Sequence, residues 1–394
     1  MKYYKYNNDF FSSKDDYDLE IVDASAIRDF DNIYYLAHLG KKARFIFETC
    51  SLENYREDIS ILFKKGNKED KCFKVINTSY PNWKDDYKRS TPKKWRVNIL
   101  ALGDVGSTLL SGLKLLGSEV ISEIGIFDLD PNTLKRFEME YNQVFDPFSE
   151  QVMPEVKIID IKNIFDCDLF IFCASKAIPE VGSGIGDVRM AQFTANKQII
   201  EYYSSMARES NYKGIFAVVS DPVDLLSRTA FESSNCVNGE FDFLGLKPEQ
   251  VIGYGLGVMN ARAVYYAKQK GYQDFLTNGR AYGPHGKNLV IINDIDNYNL
   301  AKSKELTELA INANKVIRSF GFKPFIAPAL SSATLSIINT IKGNYNYSST
   351  FIGGTYYGAK NKLINNQIKI DKINFDQGIY DTIETSYRRV GDLY

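Results

Sequence analysis

Apolar and polar positions follow two rhythms along the middle of the chain. Short, nearly uninterrupted apolar runs occupy residues 97–102, 124–128, 169–174 and 215–220. Runs of that kind mark strands buried on both faces, and the longer stretches between them leave room for crossover helices. Between the first two, Leu109, Leu110, Leu113 and Leu116 recur at helical spacing and form one apolar face for packing on a sheet. The alternation predicts an α/β fold with a parallel sheet. Further on, residues 299–320 and 327–342 read as amphipathic helices closed by Gly321 and Gly343.

Residues 1–89 differ. They are rich in Tyr, Lys and Asp, with apolar runs only four residues long at 33–36 and 44–47, as in a small mixed α and β unit. The polar stretch 88–94 contains Pro92, which disfavours helix just before it and fits a connector. The expected division is an extension of unknown role over 1–92, a dinucleotide-binding domain over 93–255 and a substrate domain over 256–394. A chain of 394 residues is past the size at which one core usually suffices, and 44% hydrophobic with 25% charged residues excludes a disordered or collagenous molecule.

Charge and cysteine content narrow the partners. With 48 Lys and Arg against 49 Asp and Glu the net charge is −1, which offers no overall attraction to nucleic acid or an acidic membrane. Neither a basic start followed by an apolar stretch nor an apolar run of membrane-spanning length is present, so no export signal or span is expected. Cys50, Cys72, Cys167, Cys173 and Cys236 are odd in number and scattered, which suggests a reducing cytoplasm and neither a disulfide framework nor a cysteine metal site.

Directly after the first apolar run stands Ala101-Leu102-Gly103-Asp104-Val105-Gly106, opening the leucine-faced helix. Gly103 would let the backbone approach a pyrophosphate, Gly106 would let helix and strand pack closely, and free N–H groups at the helix start would bind the anion. Ala101 stands where the usual GxGxxG has its first glycine. With 27 glycines in the chain, chance gives about two GxxG spacings, so placement must decide. Asp128, 22 residues beyond Gly106, ends the second run, where a carboxylate can accept both ribose hydroxyls and repel a 2′-phosphate, favouring NAD over NADP. Methyltransferases share this layout, so the turn alone leaves the nucleotide open.

Five ordered segments narrow it. They are the apolar run 168–174; Arg189 followed seven residues later by Asn196; Val218-Val219-Ser220-Asp221-Pro222-Val223-Asp224; Val251-Ile252-Gly253 with Asn260-Ala261-Arg262; and Tyr282-Gly283-Pro284-His285-Gly286. From about Trp95 to the C-terminus the chain resembles the lactate and malate dehydrogenase family, and residues 1–92 lie outside the resemblance. It implies a Rossmann doubly wound parallel sheet followed by an α+β substrate domain, with the extra small α+β domain ahead of them. It also implies NAD as cofactor, a homo-oligomer, and hydride exchange between nicotinamide and a small-molecule 2-oxo or 2-hydroxy acid. His285 would carry the proton, as an imidazole titrating near about 6.5 can do in both directions. Arg262 would grip the substrate carboxylate with its planar fork, and Arg189 would polarise the carbonyl. Gly103, Asp104, Val105, Gly106, Asp128, Ala174, Asn196 and Ser220 would contact the cofactor, and no metal is implied. The bland alternatives are a structural histidine and solvated helix arginines.

Two departures fall on catalytic positions. Met259 stands where the family has the aspartate that orients the imidazole, and Asp221 stands where it has asparagine in SNPVD. The expectation is that the carboxylate has moved from 259 to 221, which makes Asp221 a catalytic candidate with His285 and Arg189. In the family the loop ahead of the arginine sets substrate size. Here residues 175–188 offer Lys176 and Glu180 and no evident arginine, which argues against malate, while Ile178, Val181, Gly182 and Ile185 suit a larger apolar side chain. Two rivals remain: a non-catalytic NAD-binding sensor or partner-binding protein, and a reductive aminase acting on a 2-oxo acid.

Overall fold

The computed structural model describes residues 1–49, 57–64, 73–176 and 188–392. Two sheets organise the chain. The first joins β1 (Lys2–Tyr6), β2 (Asp9–Ser13), β3 (Glu20–Val22), β4 (Tyr34–Ala37), β5 (Ile46–Thr49) and β6 (Phe73–Asn77) in the order β3-β1-β2-β4-β6-β5. Tyr4, Phe11, Leu36, Ile76, Tyr80 and Trp83 bury its core, the last from the short helix α1 (Trp83–Asp86).

After the connector come β7 (Trp95–Leu100), α2 (Asp104–Leu116), β8 (Ile121–Phe127), α3 (Pro131–Asn142), β9 (Glu155–Ile158), β10 (Leu169–Phe172), α4 (Val188–Glu209), β11 (Ile215–Val218) and α5 (Val223–Asn235). A small hairpin, β12 (Cys236–Val237) with β13 (Glu240–Phe241), precedes β14 (Val251–Gly253). The six strands β9-β8-β7-β10-β11-β14 are all parallel and ordered 3-2-1-4-5-6, the doubly wound order whose switch point falls between β7 and β10. One face of the sheet packs Ile99, Leu109, Leu110, Leu113, Ile126 and Ile171; the other packs Phe170, Phe172, Ile200, Phe216 and Leu226. Of the four leucines expected to face the sheet, Leu116 stays 48% exposed in the last residue of α2.

The chain continues through α6 (Leu256–Lys270), α7 (Phe275–Asn278), the hairpin β15 (Arg280–Tyr282) and β16 (Val290–Ile292), and α8 (Leu300–Ser319). Asn299 caps α8 by accepting from Lys302 N–H, and Gly321 follows it at φ +86°. The second expected helix differs: residues Pro328–Thr334 form a π-helix, and only Leu335–Ile341 is α-helical, α9. Buried hydroxyls support the wider turn, because Thr334 Oγ1 donates to Ala329 O and Ser336 Oγ to Ser331 O, each five residues back. Apolar periodicity cannot tell that turn from an α-helix. Finally β17 (Asn346–Ile352), β18 (Thr355–Ile364) and β19 (Gln367–Ile370) add antiparallel strands beyond β14, before α10 (Gln377–Gly391). One nine-stranded sheet therefore runs through residues assigned from sequence to both the 93–255 and 256–394 domains.

The N-terminal sheet docks at the end of this larger sheet where β11 and β14 begin. Asp86 pairs with Lys213 at 3.1 Å and with Lys247 at 2.8 Å, and Ile46 N–H donates to Glu249. Lys369 of β19 pairs with Glu48 of β5 at 2.7 Å, and the backbone of Ile373 exchanges bonds with Leu62 and Lys64. The edge of the large sheet is thus covered, as a sheet edge usually must be. No helix among the described residues is long and apolar enough to cross a membrane.

Candidate active site

At the opposite, C-terminal ends of the parallel strands, every apolar run read from sequence ends in residues that leave the ladder. Residues 101–102, 128, 173–174 and 219–220 belong to loops, and these loops carry the polar groups.

After β7, Ala101 takes φ +72°, a left-handed conformation that favours glycine. A Cβ on Gly106 would lie 2.0 Å from Ala101 O, so that position must be glycine for α2 to approach the strand. A Cβ on Gly103 would meet no heavy atom within 4 Å, so open space lies over the start of α2, where no side chain caps the helix. Asp128 reaches the same turn, accepting Leu102 N–H at 2.7 Å on one oxygen and Asp130 N–H at 3.1 Å on the other. Each oxygen keeps a lone pair, enough for two ribose hydroxyls. A pyrophosphate over Gly103 and an adenosine ribose at Asp128 fit these residues. Asp104, in the first turn of α2, pairs with Lys323 at 3.4 Å.

The loops after β10 and β11 are joined. Ser220 Oγ donates to Ala174 O at 2.6 Å. Asn196 of α4 is fully buried: its Nδ2 donates to Asp221 O at 2.9 Å and to Ser175 Oγ at 3.2 Å, and its Oδ1 accepts Lys176 N–H at 2.9 Å. With these bonds made to protein, Asn196 holds the loop backbone in place.

Asp221 projects its carboxylate from the end of this β11 loop, with the side chain 43% exposed, and its Oδ1 lies 3.0 Å from His285 Nδ1. His285 sits in the β15–β16 loop, where Gly283 and Gly286 both take positive φ. Its Cβ would be 2.9 Å from a Cβ on Gly255, so the glycine ahead of α6 admits the imidazole. Arg262 lies two turns into α6, where Nη2 donates to Asn314 Oδ1 of α8 and Nη1 to Met259 Sδ at 3.4 Å. Burial pulls its guanidinium below the ordinary arginine value, and the Asp221 carboxylate opposes that pull. Asp221 thus couples the imidazole to the guanidinium. Such a group can pass a proton from imidazole to an oxygen while holding an anion beside it.

Met259 is 1% exposed, packed among the apolar residues of α6 and α8. The side chain of Arg189 and the loop candidates Ile178, Glu180, Val181, Gly182 and Ile185 lie outside the described residues, as do Cys50 and Cys72. Lys176 is exposed. Among the described residues no cluster of His, Cys, Asp and Glu could hold a metal ion. Sequence reasoning missed Asn314, although Ser303, Leu306, Ala310 and Asn314 continue one helical stripe, and a polar residue at the end of an apolar stripe is the available signal.

No family model matches the chain. It is 29% identical over 195 residues to L-lactate dehydrogenase of Staphylococcus saprophyticus, covering 49% of this chain and 55% of the relative. It is 27% identical over 167 residues to L-lactate dehydrogenase 1 of Staphylococcus aureus, covering 42% and 47%. The chain spans about half the length of the curated relatives it matches. Among solved structures it is similar to a lactate dehydrogenase from a Medee basin deep-sea metagenome library, with TM-score 0.61, 19% identity and coverage of 76% of this chain and 98% of that one. The minor L-lactate dehydrogenase of Enterococcus mundtii gives 0.62, 17%, 77% and 98%, and the malate dehydrogenase of Picrophilus torridus 0.59, 16%, 75% and 95%. These structural likenesses carry the fold.

Proposed function

We propose that the chain is an atypical relative of the lactate and malate dehydrogenases with an added N-terminal domain, and that it is an NAD-dependent oxidoreductase interconverting a 2-oxo acid and a 2-hydroxy acid. The observation that carries this reading is the 3.0 Å contact between His285 Nδ1 and Asp221 Oδ1, a carboxylate that also acts electrostatically on Arg262. It places a carboxylate on the imidazole although Met259 has replaced the family's aspartate.

Gly103 and the start of α2 would hold the pyrophosphate and Asp128 the ribose, and bound NAD would supply or accept the hydride. Arg262 binds the substrate carboxylate and fixes the reacting carbon. His285 uses Nε2, the nitrogen left free by Asp221, to donate a proton to the oxygen that becomes the hydroxyl and to take it back in the reverse direction. Asp221 stabilises the charged imidazole and fixes the ring. Arg189 would polarise the carbonyl.

The test is consumption of NADH by the purified chain with 2-oxo acids of increasing side-chain size, with and without ammonia. Turnover should require no ammonia, Asp221→Asn should lower kcat by about 10³ or more, and Met259→Asp should restore part of it. Unchanged kinetics of Asp221→Asn would refute the acid–base assignment. Binding of NADH without turnover of any acid would favour a non-catalytic role.

A further inference from the structure

The N-terminus of α6 is capped in an unusual way. Gly255 is its N-cap residue and has no side chain to offer. A side chain is excluded there, because a Cβ would lie 2.9 Å from His285 Cβ and 3.1 Å from Val223 Cγ2. The missing cap comes from elsewhere in the chain. Ser332, in the π-helix and 2% exposed, accepts Val258 N–H on Oγ at 2.7 Å and donates to Gly255 O at 2.9 Å. Val258 is the third residue of α6, and its N–H is one that an N-cap hydroxyl normally takes. Gly257 belongs to the same arrangement: a Cβ there would lie 2.6 Å from Ser331 O and 3.0 Å from Ser332 Cα, so its absence lets the π-helix come this close.

We propose that Ser332 is a positioning residue for the His285, Asp221 and Arg262 site, capping α6 in place of the residue that His285 excludes. Both groups depend on how α6 is seated. Arg262 rides on α6 itself, and the His285 side chain rests against its first backbone residue. A hydroxyl that fixes the end of α6 therefore fixes the guanidinium and the imidazole relative to each other. The π-turn follows from the same requirement, since it carries Ser332 to Gly255 while Thr334 meets Gly112 of α2. This inference rests on the dehydrogenase reading for its kinetic consequence and on geometry alone for its structural one.

The test compares Ser332→Ala with Ser332→Thr in the full chain. Truncation leaves Val258 N–H and Gly255 O buried without the hydroxyl, and the first turn of α6 loosens beside His285. The expected result for Ser332→Ala is a rise of about tenfold or more in KM for the 2-oxo acid, with the dissociation constant of NADH unchanged. The ring chemical shifts of His285, followed by NMR against the one other histidine, His38, should move away from those of the wild type. Ser332→Thr keeps the hydroxyl and should restore both. If Ser332→Ala does not fold, Ser332→Cys is read in its place, its weak thiol giving the same direction. If the chain turns over no 2-oxo acid, the functional reading fails and the ring shifts alone decide this proposal. His285 ring shifts identical in wild type, alanine and threonine variants overturn it, as does an alanine variant whose KM is unaltered.

Discussion

Replacing Glu249 with glutamine should flatten the pH dependence of stability between about pH 5 and 8. Glu249 lies in the turn before β14, 6% exposed, at the seam with the N-terminal sheet. Its Oε1 accepts Ile46 N–H at 3.0 Å from β5, and its Oε2 has no hydrogen-bond partner among the described residues. Burial pushes the carboxyl up from its ordinary 4.5 to about 7; Arg44 opposes the rise and Glu57 adds to it. The Tyr80 hydroxyl is also buried and without a hydrogen-bond partner among the described residues; burial holds it well above the ordinary tyrosine value, and the Glu249 carboxylate adds to the rise.

A carboxyl whose proton is held more tightly in the folded chain than in the unfolded one destabilises the fold as pH rises from 4.5 through about 7, and the loss then levels off. The difference between those two values corresponds to roughly 3 kcal/mol. Asp86 acts outside this window: burial alone would raise it, but Lys247 and Arg89 hold it well below the usual carboxylate range, so its contribution is lost only in acid. The glutamine keeps the acceptor for Ile46 N–H and cannot ionise. Urea denaturation at intervals from about pH 5 to 8 should show the two proteins nearly equal at the acid end and the wild type weaker by roughly 3 kcal/mol at the other. Amide exchange at Ile46 should quicken with pH beyond its intrinsic rate in the wild type alone. Both histidines are present in both proteins and cancel in the comparison. Parallel stability curves would refute the assignment of the seam to a proton-linked carboxylate.

Three further outcomes follow from contacts already described. Gly106→Ala puts a Cβ 2.0 Å from Ala101 O, so α2 must shift and NADH binding by fluorescence titration should weaken by about 10² or more. Ala101→Gly should raise stability by about 1 kcal/mol in chemical denaturation, because φ +72° strains alanine and suits glycine; an unchanged or lower stability would mean the turn is unstrained. Arg262→Lys removes the planar fork held between Asn314 and Met259, and KM for the 2-oxo acid should rise by about 10² with a smaller change in kcat; an equal fall in kcat would place Arg262 in the chemical step.

The parallel sheet was legible because its strands are buried on both faces, and a chain with 25% charged residues seldom runs continuously apolar for any purpose but burial. The same runs misled at their ends. Residues 101–102, 173–174 and 219–220 are apolar or small enough to continue a strand, yet they turn out of the ladder to form the site. Residues of the candidate site were legible where chemistry leaves a rare residue, as with one of two histidines and a glycine pair after a strand; the arginine at fixed spacing, Arg189, has its side chain outside the described residues. Ser332 gave no such signal and Asn314 only its place at the end of an apolar stripe, since a hydroxyl or amide in a helical stripe usually faces solvent. The docking of the N-terminal sheet was also hidden. Asp86, Lys247 and Glu249 are buried at that seam, but charged residues read along a sequence suggest an exposed face.

On the proposed reading a carboxylate at position 259 has given way to one at Asp221, so the imidazole keeps a negative neighbour. At position 259 a carboxylate would be buried among the apolar side chains of α6 and α8, where only a charged imidazole or guanidinium could offset its desolvation. At 221 it is 43% exposed and already in the field of Arg262, so it is cheaper to keep ionised. The consequence falls on the substrate. Held on Nδ1, Asp221 lies across the ring from the Nε2 that meets the substrate, so it acts on a developing alkoxide through the imidazole that protonates the oxygen. If NADH consumption proved to require ammonia, the reacting carbon would bear nitrogen and Asp221 would be stabilising an iminium charge. A rate indifferent to ammonia leaves the alkoxide as the charge that His285 must neutralise with the help of Arg189, Asp221 acting through the imidazole and Arg262 holding the carboxylate.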